Sequence, residues 1–283
     1  MRARAPGSSA NLGPGFDVLA LALARYVEVE IVDASRLEIH AEGEGADFPQ
    51  DESHLAARVA TSVLGHDRFR LAVRSQIPVG RGLGSSAALA VATAASAGAA
   101  DPLGVAVDFE GHAENAAASV LGGLVAATVD SRGPIARTLP LDAGLSFVVL
   151  IPDRHLQTSA ARAALGAEVA RRDAVFNLGR MGLLVAGLGD RSQLCAAAGE
   201  DRLHQDGRTA LFPEAPELMD QLRRAGATIA CWSGAGPSLL GICDGADVAA
   251  RVRDAGEAAL GAVGVSGVAS VVEPDLEGLV VCA

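Results

Sequence analysis

The chain has 283 residues, 50% of them hydrophobic, enough to bury one sizeable core or two of ordinary domain size. Its net charge of −11, with no basic tail and no arginine stripe, argues against nucleic acid as a partner. All 23 basic side chains are arginine, which excludes a Walker-type phosphate lysine and a Schiff-base lysine for pyridoxal phosphate.

The chain opens on Pro6-Gly7-Ser8-Ser9-Ala10-Asn11-Leu12-Gly13-Pro14-Gly15-Phe16-Asp17, a run of turn formers beside an apolar stretch at 18–23. It reads either as an N-terminal turn or as a place where Asn11 and Asp17 are held against a core. Residues 26–33 and 37–42 alternate apolar with polar, the pattern of an antiparallel hairpin with one wet face. Asp51-Glu52-Ser53 signals a helix start, with the helix expected to reach Leu64 before Gly65. Residues 69–74 alternate as a half-buried strand. An alanine-rich helix is expected over 85–99, a short one from Asp101-Pro102, and strands over 122–129 and 145–151. Pro140 and Gly144 bracket a boundary that divides the chain into 1–143 and 144–283. Beyond it, helices are expected over 160–165, 168–188 and 216–225, and strands over 228–232, 238–243 and 268–272. Helix and strand alternate without βαβ regularity, so the expected class is α+β with two sheet-containing domains. Cys195, Cys231, Cys243 and Cys282 form no C-x-x-C pair and read as reduced, buried thiols. With no signal peptide and no apolar run of about 20 residues, a cytoplasmic protein without membrane association is expected.

Three glycine-rich stations carry the chemistry, and the N-terminal one is the first. The second is Pro78-Val79-Gly80-Arg81-Gly82-Leu83-Gly84-Ser85-Ser86. Its glycines let the backbone curl and expose successive N–H groups, and it runs into a helix N-terminus that favours an anion. The same residues read equally as an ordinary tight turn with a serine N-cap. Gly82 to Ala87 also fits the dinucleotide pattern G-x-G-x-x-G/A. The preceding strand alternates, however, and no acidic residue closes a second strand at the required distance. The third station, Ser233-Gly234-Ala235-Gly236-Pro237-Ser238, lies between two short apolar strands. It is an ordinary connection or a backbone that closes over the nucleotide.

In order and chemistry the three stations resemble the GHMP kinase superfamily. The first motif, with Glu110-Gly111-His112-Ala113-Glu114-Asn115, resembles its homoserine kinase branch. The resemblance spans nearly the whole chain. It implies an N-terminal domain of the ribosomal-protein-S5-like type, a C-terminal ferredoxin-like domain and an active site between them. It further implies ATP, magnesium and γ-phosphoryl transfer to homoserine. Pro78, Gly80, Arg81, Gly82, Leu83, Gly84, Ser85 and Ser86, with Gly234 and Gly236, would bind ATP, and Ser86 and Glu110 the metal. Asn11, Asp17, His112, Glu114, Thr158, Arg162 and Arg208 would line the amino-acid pocket, with Asn115 and Arg162 at the reacting centre. Homoserine is a zwitterion, and Arg162 and Arg208 suit its carboxylate as Asp17, Glu114 and Asn11 suit its ammonium. His54 is a further candidate beside the adenine. A homodimer is one expectation for the assembly.

Three departures from the branch stand out. Glu114 replaces its usual Asp, Gln205-Asp206-Gly207 precedes Arg208 in place of the usual residues, and only 23 residues separate Ser86 from Glu110. The first keeps open a kinase for another small amino or hydroxy acid. The last keeps open a non-catalytic nucleotide-binding relative.

Overall fold

In the computed structural model, which describes residues 1–282, the first glycine- and serine-rich stretch is strand for most of its length. β1 (Arg2–Ala10) runs antiparallel to the 15-residue β2 (Leu19–Asp33). Pro6 has no N–H to donate, and the ladder shifts register between Pro6 and Gly7, which is how a sheet admits a proline. The turn expected from residue 6 therefore begins only at Asn11.

β3 (Glu38–Gly43) does not fold back on β2 as the expected hairpin. It passes through α1 (Leu55–Leu64) and pairs parallel with β4 (Phe69–Ser75), which itself pairs antiparallel with β2. Alternation sets which face is wet but not which strand is the neighbour, and the intervening helix supplies the crossover a parallel pair needs. α2 (Ser85–Ser96), α3 (Pro102–Glu110) and α4 (Glu114–Leu121) follow, then the antiparallel pair β5 (Leu124–Asp130) and β6 (Gly133–Leu139). β5 joins the sheet along the first residues of β2. α2 and α4 pack on β1 and β2. Alanine is the commonest residue on their buried faces, so backbones approach closely and small side chains fill the core.

The second unit runs β7 (Leu145–Pro152), α5 (Thr158–Ala163), α6 (Arg171–Gly189), the short α7 (Gln205–Arg208), α8 (Ala215–Arg224), β8 (Ile229–Trp232), β9 (Leu239–Asp244), α9 (Ala246–Ala262) and β10 (Gly267–Val272). Its sheet has the order β10-β7-β9-β8 with every pair antiparallel. Two β-α-β halves interleaved in this order make the ferredoxin-like arrangement. The boundary expected after residue 143 falls between β6 and β7, which lie in different sheets. The chain end departs from that division: β11 (Val280–Cys282) pairs with β1, and the Glu273 and Asp275 carbonyls accept from Ala24 and Gly123. Cys231 and Cys243 are buried as expected, whereas Cys195 and Cys282 are exposed. Among the described residues, no helix is long and apolar enough to cross a membrane.

Candidate active site

The three stations meet between the two sheets. At the end of β1 the chain turns through Asn11, Leu12 and Asp17, all with positive φ (72°, 50° and 56°), a region L-residues seldom enter and asparagine and aspartate tolerate best. Asn11 holds the turn: its Nδ2 donates to the Gly234 carbonyl at 2.8 Å, and its Oδ1 accepts from the Asp17 N–H at 3.1 Å. The first station is thereby tied to the third.

The second station is tied to the third by close packing. Gly82 has φ +72°, and a Cβ there would lie 2.2 Å from the Ser233 carbonyl oxygen, so only glycine fits. Ser233 Oγ donates to the Gly82 carbonyl at 2.7 Å and lies 2.8 Å from Ser9 Oγ. Gly84 caps α2 without a side-chain hydrogen bond. The first N–H groups of the helix are left open, an arrangement that accepts an anion.

Ser86 Oγ donates to Glu110 Oε2 at 2.8 Å. The brief connection between them shortens the helices, 12 residues in α2 and 9 in α3, and leaves the two side chains together. Burial raises the Glu110 carboxyl above its usual range, against the Ser86 hydrogen bond and the His112 charge, which lower it. A partly buried carboxylate beside a hydroxyl is a hard-oxygen pair that suits magnesium, which takes one or two carboxylates and completes its shell with waters and phosphates.

At the start of α4, Glu114 is 2% exposed, and its Oε2 is buried without a partner. Its Oε1 lies 3.0 Å from His112 Nδ1 and accepts from Asn115 Nδ2 at 3.1 Å. Burial pulls the His112 imidazole down, but the adjoining Glu114 and Glu110 carboxylates outweigh it, and it titrates above its usual value. Asn115 is held from its other end by Ser8, whose Oγ donates to Asn115 Oδ1 at 2.9 Å. Arg162 grips Asp17 with two parallel bonds of 2.8 Å, and this pairing raises the guanidinium further. Arg208 is 2% exposed, and burial lowers it to about 10. It donates to the Gly234 carbonyl at 2.8 Å and to His204 Nδ1 at 3.0 Å. With Nδ1 accepting, His204 Nε2 carries the proton and donates to the Gly13 carbonyl at 2.8 Å.

These groups line one cleft of about 400 Å³. It takes in Asn11, Asp17, Pro78, Glu110, His112, Glu114, Asn115, Thr158, Arg162, Arg208 and Gly234, and the loop from Gly80 to Ser86 except Arg81. Arg81 and Gly236 do not line it. The Arg81 guanidinium turns away, donating to the Pro152 carbonyl and lying 3.2 Å from Asp153 Oδ1. Gly236 packs beneath Trp232, where a Cβ would come within 2.4 Å of the ring. Sequence reasoning missed Leu156, Gln157 and Ser159, which also line the cleft. The Leu156 N–H donates to the Gly80 carbonyl at 2.9 Å, a backbone contact with no signature in residue type. It also missed Ser8, although that residue lies inside the first motif. Beside Ser85 and Ser86 opens a smaller pocket of about 200 Å³, walled by Val27, Phe48, Leu55 and Leu89 and by His54. His54 caps α1, its Nδ1 accepting from Ala56 at 3.2 Å.

Comparison with known proteins gives the same outline. Residues 53–127 match the family model for the GHMP kinases N-terminal domain and 182–262 that for the GHMP kinases C-terminal region. A homoserine kinase of Clavibacter michiganensis is 41% identical over 258 residues, 85% of this chain and 81% of its own. One from Moorella thermoacetica is 39% identical, covering 86% of this chain and 87% of its own. The crystal structure of a homoserine kinase from Cytophaga hutchinsonii superposes with a TM-score of 0.87 at 26% identity, over 100% of this chain and 97% of that one. A mevalonate kinase of L. major shares the fold alone, with a TM-score of 0.67 at 15% identity. With both of its halves matched and its length covered by such relatives, the chain belongs to the GHMP kinase family, in its homoserine kinase branch.

Proposed function

We propose that the cleft transfers the γ-phosphoryl group of ATP to the hydroxyl of L-homoserine. The observation that carries this reading is the pairing of opposite charges at one end of the cleft: Arg162 and Arg208 beside Asp17 and the orphaned Oε2 of Glu114. A zwitterion fits such a site by exchange. Its carboxylate takes the guanidinium fork that Asp17 now occupies, and its ammonium takes the carboxylates so released. At the other end, the loop from Gly80 to Ser86 and the open N-terminus of α2 suit the phosphates, and the apolar pocket that includes His54 suits the adenine.

Ser86 and Glu110 would hold a magnesium ion, which when bound neutralises charge on the transferring phosphates. The residues of the chain supply positioning. Asn115, fixed by Ser8 and Glu114, lines the cleft and has a second N–H that would donate to the acceptor hydroxyl. The arginines fix the other end of the acceptor, so the hydroxyl lies in line with the γ-phosphorus. Such transfer asks for alignment and charge neutralisation more than for a strong base. Glu114 carries one methylene more than the usual Asp, which favours as a second reading a different small amino or hydroxy acid as acceptor. The short segment between Ser86 and Glu110 gives no support to a non-catalytic reading, since the two side chains touch. The test is ADP release with homoserine, mevalonate, shikimate and galactose. Homoserine is expected to be the preferred acceptor, and absence of homoserine-dependent turnover would sink the reading.

A further inference from the structure

From Pro78 to Ser86, Arg81 is the one residue that does not line the cleft. Gly80 and Gly82 on either side of it have positive φ, 66° and 72°, and the side chain leaves the loop toward the end of β7. There Nη1 donates to the Pro152 carbonyl and lies 3.2 Å from Asp153 Oδ1. The side chain is 15% exposed although it is charged, and Nε is buried without a partner. Asp153 is 66% exposed, so solvent screens the ion pair and the bond to the Pro152 carbonyl is the protected one.

Beyond β7, residues 153–157 lead straight to α5, which carries Thr158 and Arg162. Only Ala161 of this six-residue helix is buried, so α5 has little packing of its own to hold it in place. Its position is set from its two ends. At the far end Arg162 grips Asp17, the contact that an acceptor carboxylate would take over. At the near end the chain is pinned to the phosphate loop. Arg81 holds Pro152, the Leu156 N–H donates to the Gly80 carbonyl at 2.9 Å, and the His155 ring lies against Gly80, where a Cβ would come 2.9 Å from Nδ1. Once the acceptor has displaced Asp17, these tethers and the packing of Leu156 on the second core are what aim Thr158 and Arg162.

We propose, resting on the kinase reading above, that Arg81 is a positioning residue for the acceptor and not a ligand of the nucleotide. It ties the phosphate loop to the end of β7 and so sets where α5 presents Thr158 and Arg162. A nucleotide that fixes the loop fixes these tethers as well. Nucleotide and acceptor therefore tighten each other's binding through Arg81, and by the same factor in both directions.

Steady-state kinetics and titration calorimetry of the full-length protein test this. In Arg81→Ala, kcat/KM for homoserine should fall by roughly tenfold, mainly through KM, while the KM for ATP stays within about twofold of the parent. Arg81→Lys can still donate to the Pro152 carbonyl and should recover most of the loss, and Asp153→Ala should change kcat/KM by about twofold or less. Without turnover, homoserine should bind the parent several-fold more tightly when magnesium and a non-hydrolysable ATP analogue are present, and Arg81→Ala should abolish that difference. A parent with no homoserine-dependent turnover would sink the kinase reading and the proposal with it. In an active parent, a rise in the KM for ATP with that for homoserine unchanged would make Arg81 a phosphate ligand and overturn the proposal. Equal rises in both KM values, or a nucleotide effect on homoserine binding that is absent from the parent or survives in Arg81→Ala, would overturn it too.

Discussion

Two buried side chains show how the site is supported from behind. Arg208 would be costly to bury alone, and it is held by the Gly234 carbonyl and by His204. His204 in turn stacks on Phe16 with ring centroids 5.0 Å apart and donates to Gly13. Burial holds its imidazole below the usual 6.5, against the pull of Asp201. The unfolded chain thus binds this proton more readily than the folded one, and folding stability falls as pH drops below 6.5. The nearby Asp201 keeps a lowered carboxyl, as His204 and its hydrogen bonds outweigh the cost of burial, and its contribution is lost only in more acid solution. In melting curves from about pH 8 to pH 5, His204→Gln should lower Tm at the alkaline end and flatten the acid decline. An unchanged slope would show that His204 is not the titrating group. The sequence offered Arg208 only through its motif. That it is buried, and that a histidine four residues earlier holds it, depends on residues more than 190 positions away, since His204 and Gly13 are 191 apart.

At the scale of elements, the phosphate loop is the part that could be read in advance. Glycines at alternate positions before two serines mean a curled backbone and a helix start, and α2 begins at Ser85. What closes on that loop could not be read. The Ser233 carbonyl lies where a Cβ on Gly82 would have to go. Gly82→Ala should therefore push the second and third stations apart, costing about 1–3 kcal/mol of stability and raising the KM for ATP more than that for homoserine. Equal KM values in the variant and the parent would show that the contact does not shape the loop. β3 was assigned to the wrong neighbour because alternation carries no information about pairing. α4 and α9 went unread because alanine and glycine blur the 3.6-residue period. β11 is a three-residue strand that forms only because β1 offers an edge.

In the whole molecule, catalysis depends on two sheets meeting. β1 and α2 bring the first two stations, the β8–β9 connection brings the third, and α5 and α7 bring the arginines. The family motifs made this meeting legible, because each had to reach one set of phosphates and one amino acid. The return of the chain end to the first sheet was not legible, since no motif marks it. The charge-paired end of the cleft is the feature that selects an acceptor with both a carboxylate and an ammonium. The most direct measurement compares kcat/KM for homoserine, for 4-hydroxybutyrate, which lacks the ammonium, and for 3-aminopropanol, which lacks the carboxylate. Each deletion leaves buried charges unpaired, a loss of about 2–5 kcal/mol, so homoserine should exceed both analogues by at least roughly 30-fold. Equal kcat/KM for either analogue would contradict a site built around the zwitterion.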